Sequence, residues 1–220
     1  MLSKVYSCAL HGVDGKTIEV EIDISHGLPA YNTVGLPEAA VRESRERVRS
    51  ALKNSGYRFP DDRITVNLAP ADIRKEGTGF DLPIALGILL ATGIIREKNL
   101  DEYMVMGELS LDGSVKPIKG ALSMTAAAKD KKFRGVVVPL ANAKEAAVVE
   151  GLDIIPVSFL HEVVDHFNGD QMISPAEEIF TSTSIREQEM DLDFSEIMGQ
   201  ENARRAVEIA AAGNHNIIIL

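Results

Sequence analysis

Apolar and acidic residues alternate near the start of the chain. Every second residue from 18 to 24 is isoleucine or valine, and the three residues between them are acidic. This period of two predicts a β-strand with one buried and one solvated face. Another strand is predicted at 5–10, and Val13-Asp14-Gly15-Lys16 predicts a hairpin turn between the two. The chain is therefore expected to open with an antiparallel pair of strands.

A helical pattern follows from Pro37 to about Ser55. Proline is tolerated in the first turn of a helix, so Pro37 marks its beginning. Val41, Val48 and Leu52 fall on one face of this helix at helical spacing. That face is expected to pack against the core of the domain.

Predicted strands and helices alternate along the rest of the body. Asp81 is expected to be the N-cap of an apolar helix that runs through Ile95. The pair Asp112-Gly113 predicts a hairpin at 109–115. The other strands are predicted at 30–34, 64–68, 103–106, 135–138 and 153–157, and the other helices at 119–131, 142–150 and 160–167. Antiparallel opening strands followed by β-α units predict an α+β domain with a mixed sheet.

Residues 168–193 combine glycine, proline, serine and threonine with a strong acidic bias. They hold seven carboxylates and one arginine, so they carry −6 of the formal net charge of −10 and leave the remainder nearly neutral. This composition predicts a linker. We therefore expect a domain at 1–167, an acidic linker at 168–193 and a separate segment at 194–220. Within that segment a helix is predicted at 201–212 and a buried strand at 216–220.

The composition is typical of a globular cytoplasmic protein. The most apolar run, 84–95, is shorter than the roughly 18 residues that a transmembrane helix needs, and the first residues lack the apolar stretch of a signal peptide. The single Cys8 excludes an internal disulfide bond. The five histidines are not spaced as metal ligands, so no metal site is expected. Since no run is long enough to span a membrane, no membrane partner is expected either.

Four cations of the helix after Pro37 are spaced by three, four and four residues. They are Arg42, Arg45, Arg49 and Lys53. This spacing places them on one flank, with Arg47 adding charge nearby and Glu43 and Glu46 diluting it. A basic stripe of this kind can hold nucleic-acid phosphates, and it can equally be a solvated or subunit-facing surface.

The Gly-rich loop 74–81 allows two interpretations. Its backbone N–H groups could bind an anion at the start of a helix. It lacks the spacing of a phosphate loop, however, and Gly77 and Gly79 also permit a tight turn with no ligand.

Four motifs, taken in this order, closely resemble those of the ComM/YifB group of magnesium-chelatase-like AAA+ ATPases. They are Tyr31-Asn32-Thr33-Val34-Gly35-Leu36-Pro37, Asn67-Leu68-Ala69-Pro70-Ala71-Asp72, Gly77-Thr78-Gly79-Phe80-Asp81-Leu82-Pro83 and Gly107-Glu108-Leu109-Ser110-Leu111-Asp112-Gly113. The resemblance implies an N-terminal domain with the Lon-protease-like, ribosomal-protein-S5-domain-2-like α+β fold. It also implies a following AAA+ α/β module, assembly into hexameric rings and, in some members, DNA branch migration during recombination and natural transformation.

The run Ile197-Met198-Gly199-Gln200 resembles the turn that lines the adenine in AAA+ ATPases. The glycine-rich phosphate loop G-x-x-x-x-G-K-[ST] that would follow is not found in the 220 residues. The resemblance thus implies ATP and Mg²⁺ as cofactors of the parent protein and none in this piece, which would hold a truncated AAA+ fragment. On this basis the piece is expected to be inactive alone, and its turn at 197–200 could equally serve only to cap a helix.

The Lon-like resemblance also raises the possibility of a peptidase. Lon-type proteases use a Ser nucleophile and a Lys base, and the matching positions here hold Gly79 and Leu122. Thr78 and Lys119 lie one and three residues away, but a shifted pair would need a different local geometry. No catalytic residue is therefore predicted in this chain.

Three functions remain as hypotheses. The first is a non-catalytic scaffold or DNA-engaging domain of an AAA+ motor, with DNA as the partner of the parent ring. The second is a protein-interaction or regulatory domain of an ATPase that does not contact DNA. The third is a Lon-type peptidase, which the residues at positions 79 and 122 disfavour.

Overall fold

The computed structural model describes residues 1–96, 99–176 and 198–218 of the chain. The chain separates into two compact units, divided between residues 179 and 180. The strands are β1 (Leu2–His11), β2 (Asp14–Ser25), β3 (Ala30–Val34), β4 (Arg63–Ala69), β5 (Tyr103–Val105), β6 (Glu108–Leu109), β7 (Val115–Lys116), β8 (Gly135–Pro139) and β9 (Asp153–Val157). The helices are α1 (Ala39–Asn54), α2 (Asp81–Ala91), α3 (Ala121–Asp130), α4 (Ala143–Ala146), α5 (Leu160–Asn168) and α6 (Glu201–Gly213).

The opening hairpin forms as the hydrophobic pattern predicts. β1 and β2 pair antiparallel over their full length, with Val5 opposite Val20. The valine and isoleucines at 18, 20 and 22 are completely buried, whereas the acidic residues between them face solvent at least in part. Burial of one face fixes the register, because a slip of one residue would turn the apolar side chains to water.

The main sheet has seven strands in the order β3-β4-β2-β1-β5-β8-β9. The β1–β2 and β2–β4 pairs are antiparallel, and the other four pairs are parallel. β6 and β7 form a separate two-stranded hairpin around Asp112-Gly113, as predicted. The predicted α+β fold with a mixed sheet is confirmed.

Helices cover the two faces of the sheet unequally. Apolar side chains of α1, α2 and α5 join one core cluster with alternate residues of β1 such as Val5 and Ala9. The opposite face of β1, at Cys8, packs with Met124 and Ala128 of α3 in a second cluster. Because α2 is buried almost all round, it occupies the centre of the first cluster.

Two predicted helices are shorter than the pattern suggested. α2 ends at Ala91 rather than Ile95. Directly after Ala91, the Thr92 hydroxyl donates to the Ile88 carbonyl and Gly93 adopts φ +75°. The helix predicted at 142–150 is a 3₁₀ turn followed by the four-residue α4. The Asn142 side chain instead bonds both backbone groups of Ile118, which ties this segment to a neighbouring loop.

The body of the first unit continues past residue 167. The Asn168 side chain accepts a hydrogen bond from the Arg96 amide and donates one to the Ile94 carbonyl, both at 3.0 Å. Farther along, the Ala176 amide donates to the Ile154 carbonyl of β9 at 2.8 Å. Residues 168–176, which begin the predicted linker, thus lie against this unit, while 177–193 fall outside the described residues. The domain limits at 167 and 194 stay a prediction.

In the second unit, α6 forms where the helix 201–212 was predicted. The predicted strand at 216–220 is not present in its described part, 216–218. Ile218 is 84% exposed there, and these residues belong to no sheet. A strand needs a neighbouring strand for its hydrogen bonds, and none pairs with this segment among the described residues.

His166 fastens the segment after α5. Its Nδ1 accepts a hydrogen bond from the Ile173 amide at 3.0 Å, which requires that nitrogen to be unprotonated. Burial, and to a smaller degree the charge of Arg134, lowers the pKa of His166. Tyr103, Arg134 and Asp153 are the titratable residues that line the same cleft as this ring.

We expect residues 170–176 to loosen from the body as the solution becomes acidic. The His166 pKa lies below that of an unfolded histidine, about 6.5, so the stabilisation is complete above that value and is lost as pH falls through the folded-state pKa. Hydrogen exchange of the Ile173 amide, corrected for its intrinsic rate, would report this. In His166→Asn the side-chain carbonyl can accept the Ile173 hydrogen bond but does not titrate. The protection of the Ile173 amide against exchange should then stay constant with pH. Equal pH dependence in both proteins would contradict a role for the imidazole.

Candidate functional site

The outer flank of α1 exposes all four predicted contact residues, Arg42, Arg45, Arg49 and Lys53. The Arg45 guanidinium lies 5.7 Å from the centre of the Tyr31 ring, and that of Arg49 lies 6.0 Å from the Phe59 ring. The two rings stack with their centres 6.4 Å apart. We call this surface, formed by the four cations, the basic face of α1.

The aromatic support of the basic face was not foreseen from sequence. Tyr31 belongs to β3 and Phe59 to the loop after α1, so helical spacing could not associate them with Arg45 and Arg49. A guanidinium over an aromatic ring gains a cation–π attraction and loses conformational freedom, while its outer N–H groups stay in solvent. Two arginines are therefore held side by side and still able to bind an anion.

Arg47 points away from the basic face into a buried ion pair. Its Nε lies 2.7 Å from Asp81 Oδ2 and its Nη2 3.0 Å from Asp81 Oδ1, and Nη2 also donates to the Ala40 carbonyl. Asp81 is almost completely buried and also accepts from the Leu109 amide. Arg47 thus contributes to the structure rather than to the charge of the basic face.

The predicted N-cap role of Asp81 is wrong. Phe80 is the N-cap residue and Asp81 is the first residue of α2, with its carboxylate turned towards Arg47. Burial raises the pKa of Asp81 to about 6, although the hydrogen bond and charge of Arg47 oppose the rise. The hydrogen bond from Arg47 to Asp81 in turn raises the pKa of Arg47. The pair is consequently ionised at neutral pH.

A cleft of about 430 Å³ is lined by Gly79, the position matched to the Lon-type nucleophile, but not by Leu122, the position matched to the base. Gly79, Thr78 and Lys119 line it, together with apolar side chains such as Ile118. The Thr78 hydroxyl donates a hydrogen bond to the Glu108 carboxylate rather than to Lys119. Leu122, at the position matched to the base, has a half-exposed side chain. The cleft therefore holds neither the serine nor the lysine of that chemistry.

The Gly-rich loop closes as a tight turn. The Asp81 amide donates to the Thr78 carbonyl at 3.1 Å, and the Gly107 amide donates to the Gly79 carbonyl at 3.0 Å. Gly77 adopts φ +79°, which glycine tolerates. The turn interpretation of this loop thus accounts for Gly77.

Ile197 of the predicted adenine turn lies outside the described residues. Met198 is 93% exposed, and Gly199 and Gln200 adopt positive φ values of 75° and 54° immediately before α6. Gln200 is the N-cap residue and makes no side-chain capping bond. The described part of the turn leads into a helix, and the role of Ile197, Met198, Gly199 and Gln200 in binding adenine stays a prediction.

No cluster of histidine, cysteine or carboxylate side chains among the described residues could hold a metal ion. None of the helices in the described ranges combines the length and the apolar character required to cross a bilayer.

Two family profiles match the sequence. The profile described as subunit ChlI of Mg-chelatase matches residues 20–142, and that described as magnesium chelatase, subunit ChlI, matches residues 193–220. Competence protein ComM of Haemophilus influenzae is 40% identical over 220 residues, which is all of this chain and 43% of that protein. YifB of Escherichia coli is 39% identical over 219 residues, which is 42% of its length.

A more distant similarity extends to a protease. Lon protease 2 of Bacillus subtilis is 28% identical over 180 residues, covering 73% of this chain and 32% of the protease. This match agrees with the mixed sheet and helices described above. The chain spans less than half the length of the curated relatives it matches.

Proposed function

Because the chain belongs to the ComM/YifB family of magnesium-chelatase-like proteins, we propose that it is the non-catalytic N-terminal domain and the beginning of the ATPase module of a hexameric DNA motor. The whole protein would bind ATP and Mg²⁺, act in the cytoplasm and drive branch migration in recombination or transformation. The residues 197–200 would contact the adenine in that protein.

The observation that carries the DNA role is the basic face of α1. Four cations stand exposed on one flank, and two of them rest on stacked aromatic rings. The contact of Arg45 with Glu46, at 3.6 Å between exposed side chains, is too weak to neutralise the arginine. A duplex presents regularly spaced phosphates, and a row of cations along a helix suits them.

A motor subunit does not need catalysis in this domain. Gly79 and Leu122 supply neither nucleophile nor base, so a Lon-type peptidase is the least supported function. The fold would instead serve to present the basic face, with energy supplied by ATP hydrolysis in the remainder of the protein.

Replacing Arg45 and Arg49 with Ala in the full-length protein should weaken DNA binding. Loss of two phosphate contacts is expected to lower affinity roughly tenfold or more, and to reduce the slope of log K against log salt by about 1.8. Fluorescence anisotropy over a salt series measures both. The effect should be equal for different DNA sequences, because phosphates carry no sequence information.

Two controls belong to this experiment. Lys129→Ala with Lys131→Ala removes the same charge from exposed positions at the end of α3, which packs on the other face of the sheet, and should change binding little. Arg45→Lys with Arg49→Lys keeps the charge and should retain most of the affinity. Unchanged affinity and salt slope in the Ala variant, with intact folding and assembly, would refute the DNA role.

The alternative, an interaction or regulatory domain that does not contact DNA, draws support from β3. Within the described residues β3 is an edge strand that pairs only with β4, and an exposed strand edge can accept a partner strand. If the Ala variant lost its oligomeric state on sizing before DNA is added, the basic face would be a subunit contact and this alternative would be favoured.

A further inference from the structure

Leu36 combines a strained backbone with an exposed apolar side chain. Its φ is +55°, in the left-handed region that bulky residues rarely adopt, and its side chain is 56% exposed. Residues in such conformations persist only where the surrounding structure holds them, and they concentrate at functional sites. Leu36 lies between β3 and α1, directly before the helix that carries the basic face.

Hydrogen bonds to Lys75 hold the backbone at Leu36 and directly after it. The Leu36 carbonyl accepts from the Lys75 amide at 3.4 Å, and the Lys75 carbonyl accepts from the Glu38 amide at 3.2 Å. Pro37 forms an isolated bridge with Lys75. Lys75 itself is buried, and its ammonium donates to the Pro70 carbonyl. The loop that presents the Leu36 side chain to solvent is therefore held in place by backbone hydrogen bonds.

Cations flank the exposed leucine. A cleft of about 440 Å³ is lined by Leu36, Pro37, Glu38, Ala39, Arg42 and Arg74. Arg42 is the first member of the basic face, and Arg74 is 78% exposed. Glu38 approaches Arg74 at 3.7 Å, a long and solvated contact that leaves the arginine able to bind another anion.

We propose that Leu36 is a wedge that inserts between the bases of an opened or kinked nucleic acid, while Arg42 and Arg74 hold the flanking phosphates. The proposal rests on the function proposed above. Apolar side chains such as leucine unstack a base step when neighbouring cations hold the backbone. The rigid loop supports this role, because a flexible side chain and backbone would fold away rather than separate stacked bases.

Charge favours nucleic acid over a protein as the occupant of this surface. The apolar part of the cleft is small, since besides Leu36 it comprises Pro37 and Ala39. Beside it the cations continue along α1 from Arg42 to Lys53. A protein interface would be expected to have a broader apolar centre, whereas one apolar tip beside a row of cations matches an unstacked base between two phosphates.

Leu36→Asn in the full-length protein tests the wedge. Asparagine tolerates the left-handed conformation, so the loop should keep its shape while losing its apolar tip. The probe is a forked DNA with 2-aminopurine at the first base pair of the fork, whose fluorescence rises when the base unstacks. Wild-type protein should raise the signal, and the variant should lose roughly half of that rise or more, with duplex affinity within about twofold of wild type because the phosphate contacts remain.

Leu28→Asn is the matched control. Leu28 precedes β3, is 85% exposed and does not line the cleft, so its loss should leave the fluorescence unchanged. Leu36→Gly relaxes the backbone and serves as a second variant if Leu36→Asn folds poorly. An equal rise with wild-type and Leu36 variants would overturn the wedge.

Two further results have distinct meanings. Absence of DNA binding by the wild-type protein would defeat the proposed function itself, and the wedge with it. A lost oligomer in both Leu36→Asn and Leu36→Gly, measured without DNA, would show that Leu36 packs against protein, which overturns the wedge while leaving the basic face untouched.

Discussion

Replacing Asp81 with Ala is expected to lower the free energy of unfolding by about 3–5 kcal/mol, because it leaves the Arg47 guanidinium poorly solvated and without its carboxylate. Only 20% of the Arg47 side chain and 1% of the Asp81 side chain are exposed. The Leu109 amide loses an acceptor as well. Urea unfolding of the chain, followed by circular dichroism, measures the change.

An exposed pair of the same chemistry provides the control. Arg58 and Asp61 approach at 3.4 Å with side chains 85% and 76% exposed, and Asp61→Ala should change stability by about 0.5 kcal/mol or less. Adding Arg47→Met to Asp81→Ala should restore part of the loss, because no unpaired charge then remains in the core. Equal effects of Asp81→Ala and Asp61→Ala would show that burial of the pair contributes nothing.

Gly35→Ala should destabilise the chain by about 3 kcal/mol or more. Gly35 adopts φ +94°, and a Cβ placed there would lie 2.1 Å from the Leu68 carbonyl oxygen of β4. Backbone must therefore move, and the edge strand β3 would separate from β4. The connection that orients Leu36 and α1 lies immediately after this position, so DNA binding should fall along with stability.

Gly56→Ala is a control that introduces the strain of a positive φ without a steric clash of the added Cβ. Gly56 also has a positive φ, +84°, but nothing lies within 4 Å of an added Cβ. This variant should cost only about 1–2 kcal/mol, the conformational penalty of a left-handed non-glycine residue. Thermal melting of both variants gives the comparison, and similar melting temperatures would contradict the predicted clash.

Much of the fold could be predicted because its strands bury one face. The alternation at 18–24 determined both the strand and its register, and the turn at Asp112-Gly113 determined the small hairpin. One failure arises from a tertiary contact. Asp81 was expected to cap α2, but Arg47, 34 residues earlier, binds its carboxylate, and no local pattern encodes that choice.

The candidate site was likewise predicted only in part from the sequence. Helical spacing is sufficient to place Arg42, Arg45, Arg49 and Lys53 on one exposed flank. It could not show that Arg47 pairs with Asp81, nor find Tyr31 and Phe59 under the guanidinium groups. Leu36 was equally hidden, because a positive φ in a leucine has no signature in the sequence.

The position of β1 in the sheet has a consequence for how the chain folds during synthesis. β1 is made first, yet it is the seam that joins β3-β4-β2 to β5-β8-β9, through the contact between Tyr6 and Met104. The second half of the sheet must therefore wait about a hundred residues of translation before it can attach, a feature that slows folding. Without β1, each half of the sheet would have an unpaired strand edge, at β2 in one half and at β5 in the other. Unpaired edges promote aggregation. Once both halves are made, β1 thus covers an edge of each and completes the sheet.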